Sequence, residues 1–199
     1  RAWRGWGLIA SVTAVVLTPD GRHVVSSSDD GRLKVWEAGS GREVRTLEGH
    51  SYPVDAVALT PDGRHAVSAS NDHTLKVWEV ADGREVRTLK GHSTGVRAVA
   101  LTPDGRYVVS GASVGTLKVW ELGSGLELRT LEGPPQQVMS LAVTPDGRYA
   151  VSGLHDGTLN VWEVVSWRMV RTLKVHSDRV YALTLTGDGS FEVSGSYDQ

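Results

Sequence analysis

The sequence predicts an all-β fold built from four-stranded antiparallel sheets repeated about an axis. Three observations carry this. First, the chain falls on itself when shifted by 42 residues: TPDGR starts at Thr18, Thr60, Thr102 and Thr144, with a worn copy, TGDGS, at Thr186. Second, LKVWE ends at Glu37, Glu79 and Glu121, and LNVWE ends at Glu163. Third, short apolar or alternating runs lie between turns rich in Gly and Asp, and helical periodicity is absent. A fixed period of this size marks a repeat architecture, here about 4.7 units in 199 residues.

The stretch 49–90 shows what one unit holds. VDAVALT is short and apolar and reads as a buried first strand. TPDG puts Pro61, with its preset backbone angle, at the second position of a turn and Gly63 at the fourth. RHAVSAS is a second strand, and NDHT turns the chain again with Asp72 placed to cap local amides. In LKVWEV, Leu75 and Val77 face one way and Lys76 and Trp78 the other, as in a third strand. ADG turns once more, and REVRTL is the fourth strand. One such sheet cannot bury both faces, so it needs a neighbour on each side, and radial repetition supplies both.

The units run 7–48, 49–90, 91–132, 133–174 and an incomplete 175–199, within one segment spanning 1–199. Arg1 to Trp6 align with the fourth strand of a preceding unit, and the fifth unit lacks the strand that would carry its Trp. The expectation is a segment of a larger ring that does not close by itself. Its open edges invite self-association, and Trp3 and Trp6 are placed to patch the gap.

GH, then TPDG, then S-x-x-x-D, then VW followed by an acidic residue resembles the WD-repeat (tryptophan–aspartate repeat) β-propellers, here with Glu37, Glu79, Glu121 and Glu163 in place of the final Asp. The likeness covers essentially the whole chain. It implies propeller blades whose first strands line a central channel, and an offset register in which one repeat spans the outer strand of one blade and the inner three of the next. It also implies a buried network of His, Ser, Asp and Trp within a blade. The full set is His50, Ser68, Asp72 and Trp78. The first unit has Ser26, Asp30 and Trp36, with Leu8 in the His position. The third has His92, Ser110 and Trp120, with Val114 for Asp; the fourth has Ser152, Asp156 and Trp162, with Pro134 for His. The fifth has His176, Ser194 and Asp198.

Ser, His and Asp are also the parts of a hydrolase triad. A triad is needed once per active site, whereas this set recurs in assorted partial copies, with no exposed nucleophile or oxyanion hole signalled. The reading is structural: His50 donates to Asp72, and Ser68 links the imidazole to the indole N–H. The remaining histidines carry no metal spacing; His23 and His65 read as exposed strand starts, and His73 and His155 as turn residues. No Gly-rich phosphate loop opens a helix, so no cofactor or metal is expected.

Differences between otherwise uniform units mark a candidate partner-binding face. One column, just inside the first strand, holds Thr13, Asp55, Arg97, Met139 and Tyr181. A second holds Ala10, Tyr52, Thr94, Gln136 and Asp178, and a third Asp29, Asn71, Ser113, His155 and Tyr197. The family resemblance implies that all three lie on the top face around the channel, where recognition residues sit on a rigid scaffold. Trp167 stands on the opposite face where other units have Gly41, Gly83 and Gly125, as a separate contact or a local clamp.

Composition narrows the classes further. A net charge of −2 and 40% hydrophobic residues give no electrostatic reason to expect nucleic acid or an anionic membrane. No apolar run reaches a membrane span, and the ten residues RAWRGWGLIA lack an apolar signal core, which fits a cytoplasmic chain. With no cysteine, disulfides and thiolate metal sites are excluded. The resulting reading is a non-catalytic scaffold for a protein or peptide partner on the top face. The alternative is a sensor or autoinhibitory array of a larger bacterial signalling protein, of the NTPase, kinase or protease-like kind, whose catalytic domain lies outside this chain.

Overall fold

The computed structural model describes residues 10–186 and 192–198. All regular structure there is β. The first sheet is β1 (Val12–Leu17), β2 (His23–Ser28), β3 (Leu33–Glu37) and β4 (Glu43–Leu47). The second is β5 (Val54–Leu59), β6 (His65–Ser70), β7 (Thr74–Glu79) and β8 (Glu85–Lys90). The third is β9 (Val96–Leu101), β10 (Tyr107–Ala112), β11 (Thr116–Glu121) and β12 (Glu127–Glu132). The fourth is β13 (Val138–Val143), β14 (Tyr149–Leu154), β15 (Thr158–Glu163) and β16 (Arg168–Lys174). Two strands, β17 (Val180–Leu185) and β18 (Glu192–Ser196), make a fifth, partial sheet. Each sheet is an antiparallel meander in chain order. The expected strand at Arg1 to Trp6, the patching role of Trp3 and Trp6, the Leu8 substitution and most of the TGDGS turn lie outside the described residues.

The TPDG turn works as its residues dictate. Gly63 N–H closes onto the Thr60 carbonyl at 2.8 Å, with Gly63 at a φ of 70°. Asp62 Oδ1 accepts from the Thr60 hydroxyl at 2.6 Å and from Arg64 N–H at 3.0 Å. These donors, the hydroxyl first, hold the Asp62 carboxyl below the usual range, and the turns at Asp20, Asp104 and Asp146 repeat the pattern.

The core lies between sheets, not within one. Each blade has two unlike faces. Val25, Leu33, Val35 and Leu47 of the first blade pack against Val54, Ala66, Trp78 and Val80 of the second. Val67, Leu75, Val77 and Leu89 then meet Val96, Val108 and Trp120 of the third. Val109, Leu117, Val119 and Leu131 meet Val138, Ala150 and Trp162 of the fourth, and Val151 and Leu159 meet Val180 of the fifth. At the three junctions between four-stranded blades, a Leu/Val face thus receives the Trp face of the next blade. Complete burial of side chains of this size is worth about 1.5–3 kcal/mol each.

First strands pack side by side in the order β1, β5, β9, β13, β17. The described blades therefore form an open, partial propeller. Val54, Val96, Val138 and Val180 are fully buried, whereas Val12, their counterpart in β1, is 64% exposed. The Trp face of the first blade and the far side of β18, where Val193 is exposed, have no blade against them among the described residues.

Candidate functional site

In the second blade His50, Ser68, Asp72 and Trp78 form one hydrogen-bonded line. The Trp78 indole N–H donates to Ser68 Oγ at 2.8 Å. Ser68 Oγ lies 2.7 Å from His50 Nε2, and His50 Nδ1 lies 2.7 Å from Asp72 Oδ2. With Nδ1–H given to the carboxylate, Nε2 accepts the serine proton. Asp72 also accepts from the N–H groups of Ser51 and Thr74 and from the Thr74 hydroxyl. Burial pushes Asp72 up, but the Thr74 and His50 bonds outweigh it and hold the carboxyl low. Burial keeps His50 below its ordinary range, against the pull of Asp72. The Ser68 hydroxyl is fully buried, which leaves no exposed nucleophile.

The partial copies keep the geometry of the parts they retain. Trp36 donates to Ser26 at 2.8 Å, Trp120 to Ser110 at 2.8 Å and Trp162 to Ser152 at 3.0 Å. His92 Nε2 lies 2.7 Å from Ser110 Oγ, and Val114 stands where a carboxylate would meet Nδ1. Burial, then the nearby Lys118 charge, push His92 down to about 4. In the fifth blade His176 lies 3.0 Å from Asp198 and 2.8 Å from Ser194. Asp30 and Asp156, with no histidine opposite, accept from the N–H groups of Arg32 and Thr158 in their own turns. His23 and His65 are half-buried rather than exposed, because the first position of the second strand leans on the third: His65 Nε2 lies 3.5 Å from Glu79.

A further network escapes motif reading. Lys76 Nζ donates to Glu85 at 2.7 Å and to Thr88 at 2.9 Å, and Lys118 does the same with Glu127 and Thr130. Lys34 and Glu43 repeat the pair at 2.7 Å. In the fourth blade the lysine is Asn160 and the glutamate Met169, with Thr172 donating to Asn160 Oδ1 at 2.7 Å. That simultaneous change in one unit is the sequence signal that reveals the pairing.

The column Thr13, Asp55, Arg97, Met139 and Tyr181 has a common backbone cause. Val54 pairs with Ser70 but Ala56 with Ala69, so Asp55 is an extra residue opposite the second strand. The same skip falls at Thr13, Arg97, Met139 and Tyr181. Each is a β-bulge, which bends a strand and re-aims a side chain. Arg97 Nη1 lies 3.5 Å from Asp55 Oδ2 across two blades, and Arg97 Nε donates to Ser113 at 3.2 Å. Burial pushes the Asp55 carboxyl up, with Arg97 opposing. The Thr13 hydroxyl donates to the Val54 carbonyl of the next blade. Tyr52 is 61% exposed. Tyr181 packs edge-on against Tyr197, with centroids 4.9 Å apart, and takes a hydrogen bond from Arg179. The structure thus joins Asp55, Arg97 and Ser113 in one cluster and Tyr181 with Tyr197 in another; Met139, Asn71 and His155 are half-buried.

On the opposite side Trp167 has a φ of 54° and packs into the core between the third and fourth blades. Its N–H closes onto Glu163 O, as Gly83 does onto Glu79 O, so the turn is kept while the side chain clamps two blades.

Among the described residues no group of three or more His, Asp or Glu is placed to hold a metal, and no helix is long and apolar enough to cross a membrane. No curated protein matches the chain. The family description "WD domain, G-beta repeat" matches residues 8–37, 41–79, 83–121, 125–163 and 167–199. The second of these segments runs through β4 of one blade and β5, β6 and β7 of the next, which is the offset register. With five in-phase matches covering nearly its whole length, the chain belongs to the WD domain, G-beta repeat family.

Proposed function

We propose that this chain is a non-catalytic protein–protein interaction scaffold that receives a protein or peptide partner on the face bearing the first-strand bulges. Repeats of this family generally serve as interaction scaffolds. The observation that carries the reading is the bulge position itself: five equivalent backbone sites hold Thr13, Asp55, Arg97, Met139 and Tyr181 on a framework that otherwise repeats. A uniform scaffold presenting unlike side chains from one register position supports specific recognition. Tyr52, Tyr181 and Arg97 are of the types that anchor interfaces. The His–Ser–Asp–Trp sets are read as structural ties within blades, and the open edges of the first and last blades as sites of self-association. The test of the face is affinity capture with the intact chain and with alanine at Tyr52, Asp55, Arg97, Met139 and Tyr181 together. Loss of the captured partner, with an unchanged circular dichroism spectrum, is expected. Full retention of the partner overturns the assignment.

A further inference from the structure

A short loop leads into the first strand of each of the later blades, on the side that bears the bulges: 49–53, 91–95, 133–137 and 175–179. Three of these loops are fastened. In the second blade Asp72 accepts from the Ser51 N–H at 3.2 Å and lies 2.7 Å from His50 Nδ1. The Ser70 hydroxyl donates to the Tyr52 carbonyl at 3.0 Å, and Pro53 fixes the last backbone φ before β5. In the fourth blade Pro134 and Pro135 fix two such angles, and the Gln136 N–H donates to the Pro134 carbonyl at 2.7 Å. In the fifth, Asp198 accepts from the Ser177 N–H at 2.9 Å and lies 3.0 Å from His176.

The third blade lacks the counterparts of all the fasteners seen in the second except the histidine. Val114 stands for Asp72, Ala112 for Ser70 and Gly95 for Pro53. Ser93 and Thr94 make no hydrogen bond with any described residue, and the Thr94 hydroxyl is buried all the same. The hydrogen bonds of this loop are confined to its ends. His92 Nε2 lies 2.7 Å from Ser110 Oγ, and Ser113 donates to the Gly95 carbonyl from its N–H at 3.0 Å and its hydroxyl at 3.2 Å. The three replacements fall on a turn, a second strand and the loop itself, and each loosens the same five residues. Glycine in place of proline exchanges the most restricted backbone for the least restricted one. A buried hydroxyl without a partner is unfavourable, so a rearrangement that gives Thr94 one lowers the free energy of the moved loop.

We propose that loop 91–95 is a conformationally adjustable element set between fixed loops on the bulge-bearing face, and that it rearranges when a partner is seated there. It leads directly into β9 and its bulge residue Arg97. Ordering such a loop on binding weakens affinity but lets one face accept partners of different shape. The role in recognition rests on that face being the partner site; the freedom of the loop does not.

The chain has no cysteine, so one introduced thiol carries a nitroxide label at a single place. Ser51 and Ser93 are equivalent, exposed positions of a fixed and an adjustable loop. In the full 199-residue chain the label on Ser93→Cys is expected to tumble at least about threefold faster than the label on Ser51→Cys. Val114→Asp gives the Ser93 N–H and His92 an acceptor and should slow the label at 93. Val114→Asn, uncharged and of nearly the same size, should slow it as well, and melting curves confirm that both variants fold. Asp72→Ala should speed the label at 51. Equal mobility at 51 and 93 overturns the proposal, as does a label at 93 that neither Val114 variant slows. The measurement needs no partner, so its failure leaves the bulge-bearing face standing, and failure of the capture experiment leaves the loop's freedom standing.

Discussion

His50 and His92 occupy one position in consecutive blades, and a single residue separates their surroundings: Asp72 in one, Val114 in the other. Asp72→Ala strands a buried imidazole and is expected to cost about 2–4 kcal/mol, read as a fall in melting temperature. An unchanged melting temperature would remove the structural role of the carboxylate. His92 supplies a pH test. Its folded-state value is about 4, while the unfolded chain titrates near the ordinary 6.5. Between those values the unfolded state binds a proton that the folded state refuses, so stability falls as pH drops through this window, by about 3 kcal/mol over its full width. Val114→Asp gives Nδ1 an acceptor and raises the folded value. The acid-induced loss should shrink, which melting curves at pH 7, 6 and 5 for both proteins will show. An identical pH dependence in the two proteins would rule out His92 as the titrating group.

At the scale of the strand, the Lys–Glu–Thr clasps join third and fourth strands in three blades, and the fourth blade has lost lysine and glutamate together. Asn160 is 1% exposed and its Nδ2 makes no hydrogen bond. Asn160→Lys alone places a charge beside Met169 and should destabilise; adding Met169→Glu should restore the loss, with a coupling of about 1–3 kcal/mol in a double-mutant cycle. A coupling near zero would mean that the clasps hold nothing together. Strands and turns were legible because TPDG and the Asp-Gly pairs announce reversals, and the line from Trp78 to Asp72 was legible through the resemblance to WD repeats. The bulges were not. Asp55 sits in an otherwise apolar run, and only pairing with the second strand shows that it is an extra residue. The differing surroundings of Arg87 and Arg129 were also hidden, because the following blade sets them, with the Leu122 carbonyl bonding Arg87 and Trp167 filling the next junction.

For the molecule as a whole, the first blade stands apart, because its Trp side has no blade against it among the described residues. Val12, Val15 and Leu17 are exposed on β1, while Val54 and its later counterparts are fully buried. Light scattering on residues 1–199 should show concentration-dependent self-association, reduced by Val12→Lys with Val15→Lys. A monodisperse monomer at all concentrations would show that this face is covered in solution. The junctions themselves carry a further meaning. The second and third blades each bring the Trp half of one junction and the Leu/Val half of the next. An in-frame duplication or loss of one 42-residue unit therefore leaves each junction made of the same two halves. Copy number becomes a heritable variable that unequal recombination can change in one step, while no core position has to mutate to accommodate it.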